Sequence, residues 1–428
     1  MNNQIAASLT RENPRRSLIA SVPTDRGDAR GRMHAPPIRP AVAVLTGGGD
    51  RPYALGLATA LINQGLAFDF IASDELDHPD LRRNPLVHFL NLRKEMGADV
   101  PAMRKILRVL LYYWRLIVYA ATAKPRLFHI LWNNKFVILD RTLLMLYYRA
   151  LGKRIAFTVH NVNAGWRDSN DTFLNRLTLR IQYRLCDHLF VHTEQMRREL
   201  RTHFAVGERK ISVIPFGINN SVPNTELTSV DARQRLGLSS SQKVILFFGN
   251  IAPYKGLEVL VEALALLIAK DPSYRLVIAG KPKNCQLYWE EIQRRIALLG
   301  LSGYVVERIE YVPDADTEIY FKAADVLVLP YKHVFQSGVL FLGYNFGLPT
   351  IASDVGSLKE DIIEGKTGFI CKPGDSVELS KSIETYFSSQ LYQQLAARRR
   401  EIANFAAAKY SWTEVAKITE SVYGNLLS

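Results

Sequence analysis

Paired cysteines are missing from this chain of 428 residues. Its three cysteines, Cys186, Cys285 and Cys371, never fall at C-x-x-C spacing, which excludes a disulfide scaffold and a thiolate zinc site. Long apolar runs are missing too. The nearest, Ile106–Ala121, is interrupted by Arg108 and Arg115, so no membrane-spanning helix is expected. Residues 1–40 hold no apolar stretch of signal-peptide length and read as a disordered basic tail. Acidic residues are scarce in the first half. Residues 1–219 carry 32 Lys and Arg against 18 Asp and Glu, a net +14, whereas 220–428 carry 22 against 23. H-E-x-x-H and G-x-S-x-G are absent, and no metal site is expected. Gly365-Lys366-Thr367 lacks the upstream glycine of a phosphate-binding loop, because position 360 is Glu. Glu290 and Glu291 are adjacent on a helical stretch, so their carboxylates diverge and form no catalytic pair.

What is present is ordinary globular material, 48% hydrophobic and 22% charged, enough for two domains with cores of their own. Apolar β-type runs alternate with helical patterns, which implies an α/β protein with parallel sheets. Strands are expected at Ala41–Leu45, Ala67–Ile71, Leu127–Leu131, Arg154–Val159, His188–Val191 and Lys210–Ile214. A second series comprises Lys243–Phe248, Arg275–Ala279, Tyr304–Ile309, Val326–Leu329, Thr350–Ala352 and Phe369–Cys371. The expected division is a first domain at 41–216, a linker at 217–240, a second domain at 241–408, and a final helical segment, 409–428, returning towards the first domain. Two doubly wound halves of this kind face each other across a cleft at the carboxyl ends of their strands.

Four places carry chemistry. Gly47-Gly48-Gly49 follows a strand and precedes a helix, where bare backbone admits a ligand and the helix start favours an anion. The second, Gly249-Asn250-Ile251-Ala252-Pro253-Tyr254-Lys255-Gly256, has the same context and puts a lysine beside free backbone amides, an arrangement suited to phosphate. Gln336-Ser337-Gly338-Val339 opens a third helix, with Ser337 as its cap. His160, followed by Asn161, ends a strand and points towards the cleft. Separately, Arg104, Arg108 and Arg115 fall within about 40° of one another on a helix. Leu107, Val109, Leu110, Leu116 and Ile117 lie on the opposite side. With Lys105, this basic side is an expected contact with an anionic membrane, the alternative being an amphipathic helix packed on its own domain.

Taken together, these segments resemble glycosyltransferase family 4. The resemblance rests on Phe247–Gly256, Leu276–Gly280, Tyr311-Val312-Pro313, Ala323-Ala324-Asp325-Val326 and the run Gln336–Gly356, continuing to Gly368. In the first half, Gly48-Gly49, His160 and Val213–Ile218 carry it. It implies the GT-B fold and a retaining transferase that moves a hexose from a nucleoside-diphosphate sugar. The acceptor is expected to be a glycan or lipid-linked molecule in cell-surface polysaccharide or glycolipid synthesis. By that resemblance Lys255 neutralises the departing β-phosphate, aided by amides at Gly338 and Val339 beside Ser337, and His160 contacts the donor sugar. Gly48 and Gly49 close on the donor phosphate, Val312 flanks the base, and Gly249, Asn250, Gly256 and Gly280 complete the donor site. The implied transfer uses no bound metal or cofactor. Lipid-linked acceptors imply a cytoplasmic protein peripheral to the inner membrane face. There are departures: Asn250 stands where the family has arginine, and Val334 and Leu342 stand where it has two glutamates eight apart. A noncatalytic sugar-nucleotide binder is therefore the second reading. A nucleic-acid partner, suggested by charge alone, has no aromatic-interleaved basic motif behind it and is not expected.

Overall fold

The computed structural model describes residues 40–94, 102–167, 171–218, 222–282 and 285–428. The predicted tail lies outside the described residues. Two parallel sheets organise the rest. The first contains β1 (Val42–Leu45), β2 (Phe68–Ala72), β3 (Val87–Asn91), β4 (Leu127–Ile130), β5 (Arg154–Thr158), β6 (His188–Val191) and β7 (Ile211–Val213), in the order β3-β2-β1-β4-β5-β6-β7. The second contains β8 (Lys243–Phe248), β9 (Tyr274–Ala279), β10 (Val305–Arg308), β11 (Val326–Leu329), β12 (Thr350–Ser353) and β13 (Gly368–Cys371), in the order β10-β9-β8-β11-β12-β13. Strand order reverses beside β1 and beside β8, which opens the ligand-binding crevice at both positions. Central strands such as β1, β4 and β11 are buried throughout, as continuous apolar runs covered by helices on both faces require.

Two expectations need correction. β3 was not anticipated: it is an edge strand with only Val87 buried, so it lacks the continuous apolar run of its neighbours. The segment read as a linker, 217–240, contains the helix Ser229–Arg235, and Val222, Ala232, Leu236 and Leu238 belong to the second domain's core. Arg233 on that helix is buried and donates to Asp325 Oδ1 at 2.7 Å, while Asp325 Oδ2 accepts from Val244 N at 2.8 Å. The Ala-Ala-Asp-Val motif thus clamps this helix to the start of β8. The last helix, Trp412–Leu427, crosses back and packs on the helix Arg51–Asn63 of the first domain. Its Tyr423 hydroxyl lies 2.6 Å from His129 Nδ1 on β4.

Candidate active site

The second domain builds one wall from three glycine-dependent bends. β8 ends at Gly249 and β9 at Gly280, both with positive φ (97° and 143°). A Cβ on Gly280 would sit 2.0 Å from the Gly249 carbonyl oxygen, so the two strand ends touch through bare backbone. The chain then makes a 3-10 turn at Pro253–Lys255, and Gly256 (φ 64°) starts the helix Leu257–Ile268. This turn folds Lys255 back under the strand end. Its Nζ would be 3.1 Å from a Cβ on Gly249 and stands 5.4 Å over the Tyr331 ring. Lys255 is buried, and burial lowers its pKa. Among the described residues no carboxylate pairs with it. An unpaired buried ammonium is costly, and the natural partner is an anion brought by a ligand.

Beside it, β11 runs through Pro330 and Tyr331 to the helix Gly338–Asn345. Ser337 takes the cap position, but its side chain makes no capping bond; its Oγ lies 3.4 Å from the Tyr331 hydroxyl. The first amides of that helix are therefore left for a ligand.

The first domain supplies the facing wall. Gly47 and Gly48 have φ of 60° and 78°. Arg93 Nη1 donates to the Gly47 carbonyl at 2.8 Å, and its guanidinium fills the space where a Gly48 Cβ would be. The Trp132 indole does the same for Gly49. The bare faces of Gly48 and Gly49 are thus taken by protein side chains, and the next residues, Asp50, Pro52 and Tyr53, line the cleft. His160 stacks on Trp132 with centroids 4.1 Å apart and planes within 3°, edge-on to Tyr53.

His160 Nδ1 lies 3.1 Å from His192 Nε2, and His192 Nδ1 lies 3.4 Å from the Ile214 carbonyl. The carbonyl can only accept, so His192 carries its proton on Nδ1 and accepts at Nε2. In that tautomer His160 donates from Nδ1 to His192. The Nε2 of His160 is buried and has no partner. Burial, then the neighbouring His192 and His129, push His160 well below the usual histidine range, so it is neutral.

These walls enclose a cleft of about 440 Å³. Of the residues singled out from the sequence, His160, Asn250, Lys255, Ser337, Gly338 and Val339 line it. Gly249, Gly256 and Gly280 stand behind the wall as the bends that shape it. Val312 is half-buried against the second domain's core and is not part of this lining. Val334 and Leu342 do line the cleft, so the two family carboxylate positions are apolar where they meet a ligand.

Asp50, which the motif reading passed over, is the one carboxylate in the lining among the described residues. It is solvent-exposed at the mouth and caps the helix Arg51–Asn63, accepting from Tyr53 N at 3.1 Å; desolvation raises its pKa, that hydrogen bond opposes the rise and Asp314 adds to it. The helix Ala102–Thr122 stands apart from the cleft. Arg104 and Arg108 are exposed on it, Lys105 is half-buried, and Arg115 is held by the Leu92 carbonyl at 3.3 Å. No group of three or more metal-ligating side chains is clustered among the described residues.

Known proteins share this fold. The model of glycosyltransferase family 4 matches residues 47–222, and that of glycosyl transferases group 1 matches 242–389. The D-inositol 3-phosphate glycosyltransferase of Corynebacterium diphtheriae is 26% identical over 278 residues, covering 63% of this chain and 64% of that protein. The protein of the same name from Streptomyces scabiei is 29% identical over 245 residues, 56% of this chain and 54% of its own. The chain thus spans between half and about two thirds of the curated relatives it matches. Among solved structures, sucrose-phosphate synthase from Thermosynechococcus elongatus superimposes with a TM-score of 0.71 at 20% identity, over 91% of this chain and 99% of that one. Anabaena HepE in complex with UDP-glucose gives 0.68 at 16%, over 90% and 99%. The two sheets, their facing cleft and the paired family matches have one reading: the chain has the GT-B fold and belongs to the group 1 glycosyltransferases of family 4.

Proposed function

We propose that the protein transfers a hexose from a nucleoside-diphosphate sugar to a glycan or lipid-linked acceptor, with retention at the anomeric carbon. The observation that carries this reading is Lys255, a buried cation without a counter-ion, set beside the open amides of Gly338 and Val339. As the bond from the anomeric carbon to the β-phosphate oxygen breaks, negative charge collects on that oxygen. A fixed ammonium and oriented amides in a crevice stabilise charge that develops there more than charge already present in the ground state. His160, in the cleft lining at the end of β5, packs against the donor sugar and fixes its face. Val334 and Leu342 place no carboxylate beside the reacting carbon. Ribose recognition accordingly falls to other groups, and Asn250 takes the place of the family's arginine as a neutral donor. The acceptor enters from the first domain, where Asp50 can accept its hydroxyl proton or hold it in line. Lys255 and the helix amides provide the charge neutralisation, so the proposed transfer runs without a metal. In the Anabaena neighbour the crystallised ligand is UDP-glucose, which makes a uridine donor the first to test.

The experiment is a turnover assay with UDP-, GDP- and ADP-glucose and a panel of polyprenyl-phosphate-linked and free saccharide acceptors. The anomeric configuration of the product is read by NMR. The proposal expects one nucleotide to be strongly preferred, an α-linked product from the α-linked donor, and no loss of rate in a chelator. An inverted product or an absolute metal requirement would contradict it.

A further inference from the structure

The helix Ala102–Thr122 has two apolar faces. One is consumed by folding: Val109, Tyr112, Tyr113, Leu116 and Ala120 are buried in the first domain. The other points outward. Met103, Ile106, Leu107, Leu110, Leu111, Trp114, Ile117 and Val118 follow the i, i+3, i+4, i+7 spacing of a single stripe, and all are exposed, Leu107 by 65% and Trp114 by 64%. The surface continues onto helices in contact with this one. Phe136 stacks on Tyr113, and Tyr147 donates to the Ile117 carbonyl at 3.0 Å. Beside them Ile138, Leu143 and Leu146 are exposed. The helix Phe173–Leu185, tied to this layer by Arg141 donating to Asn175 at 2.8 Å, adds exposed Phe173, Leu174 and Leu177. Isolated exposed leucines need no explanation, but a continuous outward stripe this long marks a contact surface.

Charge identifies the contact. Between 102 and 184 the sequence has 15 Lys and Arg and 3 Asp and Glu, a net +12, and the helix Ala102–Thr122 itself has no acidic residue. Arg104, Arg108 and Arg115 fall at one edge of the outward stripe, about 90–130° from its centre; Arg115 is half-buried and held by the Leu92 carbonyl, while Arg104 and Arg108 are exposed, where long cationic stems reach past apolar side chains to a polar boundary. The arginines read from the sequence as the lipid-facing side flank an apolar stripe that faces outward. We propose that this face docks on an anionic membrane surface, with the stripe in the headgroup–acyl boundary, Trp114 as its interfacial anchor and the flanking cations on lipid phosphates. No helix among the described residues is long and apolar enough to cross a membrane, and half of this one is committed to its own domain. The attachment is thus in the plane of the surface. A second copy of the chain fits less well, because it would bring the same cation-rich segment against the first. Nucleic acid would match the charge but leave the stripe in water.

The test is flotation of the full chain with vesicles of phosphatidylcholine alone or with one third phosphatidylglycerol. The triple variant Leu107→Glu/Leu110→Glu/Trp114→Glu runs in parallel, and light scattering reports the size of the free protein. All three side chains are exposed, so the variant is expected to keep the wild-type melting profile and, lying outside the cleft, its donor binding. The proposal expects partition onto the anionic vesicles, at least about tenfold weaker for the triple variant and on neutral vesicles. Equal partition of wild type and variant overturns it. So does a wild-type dimer that the variant dissolves without any vesicle binding. Because donor binding is measured without lipid, this result and the transferase reading succeed or fail separately.

Discussion

At the residue scale, the site is a set of groups held in unfavourable states until a ligand arrives. Lys255 is buried without a counter-ion among the described residues, and His160 Nε2 is buried and unpaired. Asp50 is the lone carboxylate of the cleft among the described residues, with its pKa raised chiefly by desolvation. If Asp50 acts as its carboxylate, the rate falls as pH drops through that raised pKa, since protonation removes the acceptor. Asp50→Asn is expected to lower kcat by about tenfold or more, to flatten that acidic limb and to leave donor affinity nearly unchanged. A pH–rate profile of the two proteins decides it; an unchanged acidic limb in the variant assigns the limb elsewhere. Lys255 and His160 were legible because they sit at strand ends, where cleft residues must come from. Asp50, Arg93 and Trp132 were not, because their roles arise from contacts between distant segments: Arg93 reaches Gly47 across 46 positions. The glycines of the first loop show the same limit. Their spacing signals close approach, but only the fold shows that Arg93 and Trp132 do the approaching.

At the element scale, central strands were readable from the sequence and peripheral pieces were not. β8 and β11 are uninterrupted apolar runs that end at turn residues, whereas β3 is half-exposed and the helix Ser229–Arg235 hides in a polar stretch. That helix is held by long-range chemistry, Arg233 to Asp325 across 92 positions. Burial raises the Asp325 carboxyl, and Arg233 opposes the rise. Arg233→Met leaves that carboxylate buried without its cation and is expected to destabilise the protein by about 3 kcal/mol, read by urea denaturation. A loss well under 1 kcal/mol would mean the segment behaves as a linker after all. The touching strand ends make a second prediction. Gly280→Ala meets the Gly249 carbonyl at 2.0 Å in a conformation alanine avoids, so it should both destabilise the second domain and weaken donor binding.

At the scale of the whole molecule, the first domain carries an acid-sensitive core. His129 is pushed down to about 3, His188 and His192 to about 4, and His160 lower than usual, in every case chiefly by burial. The unfolded chain binds protons at these histidines near pH 6.5 while the folded chain refuses them until about pH 4 or below. Stability therefore falls as pH drops from about 6.5 towards 4, each histidine contributing about 1.4 kcal/mol per pH unit. Urea midpoints at pH 7 and pH 5 should differ markedly; a flat profile would contradict the neutral, buried assignment. The final helix ties this core to the chain end through Tyr423 and His129, so acid should release both together.

The central claim is that Lys255 is kept buried and unpaired to receive a diphosphate, and calorimetric titration of the wild-type protein and Lys255→Met against UDP-, GDP- and ADP-glucose tests it most directly. The account predicts selective binding of one donor by the wild type, with affinity declining on the alkaline side below the ordinary lysine value of 10.5. It predicts no measurable binding by the variant, together with a melting temperature on the order of a few degrees higher, because a buried unpaired charge has been removed. A variant that binds the donor as tightly as the wild type, or one that melts lower, would contradict it.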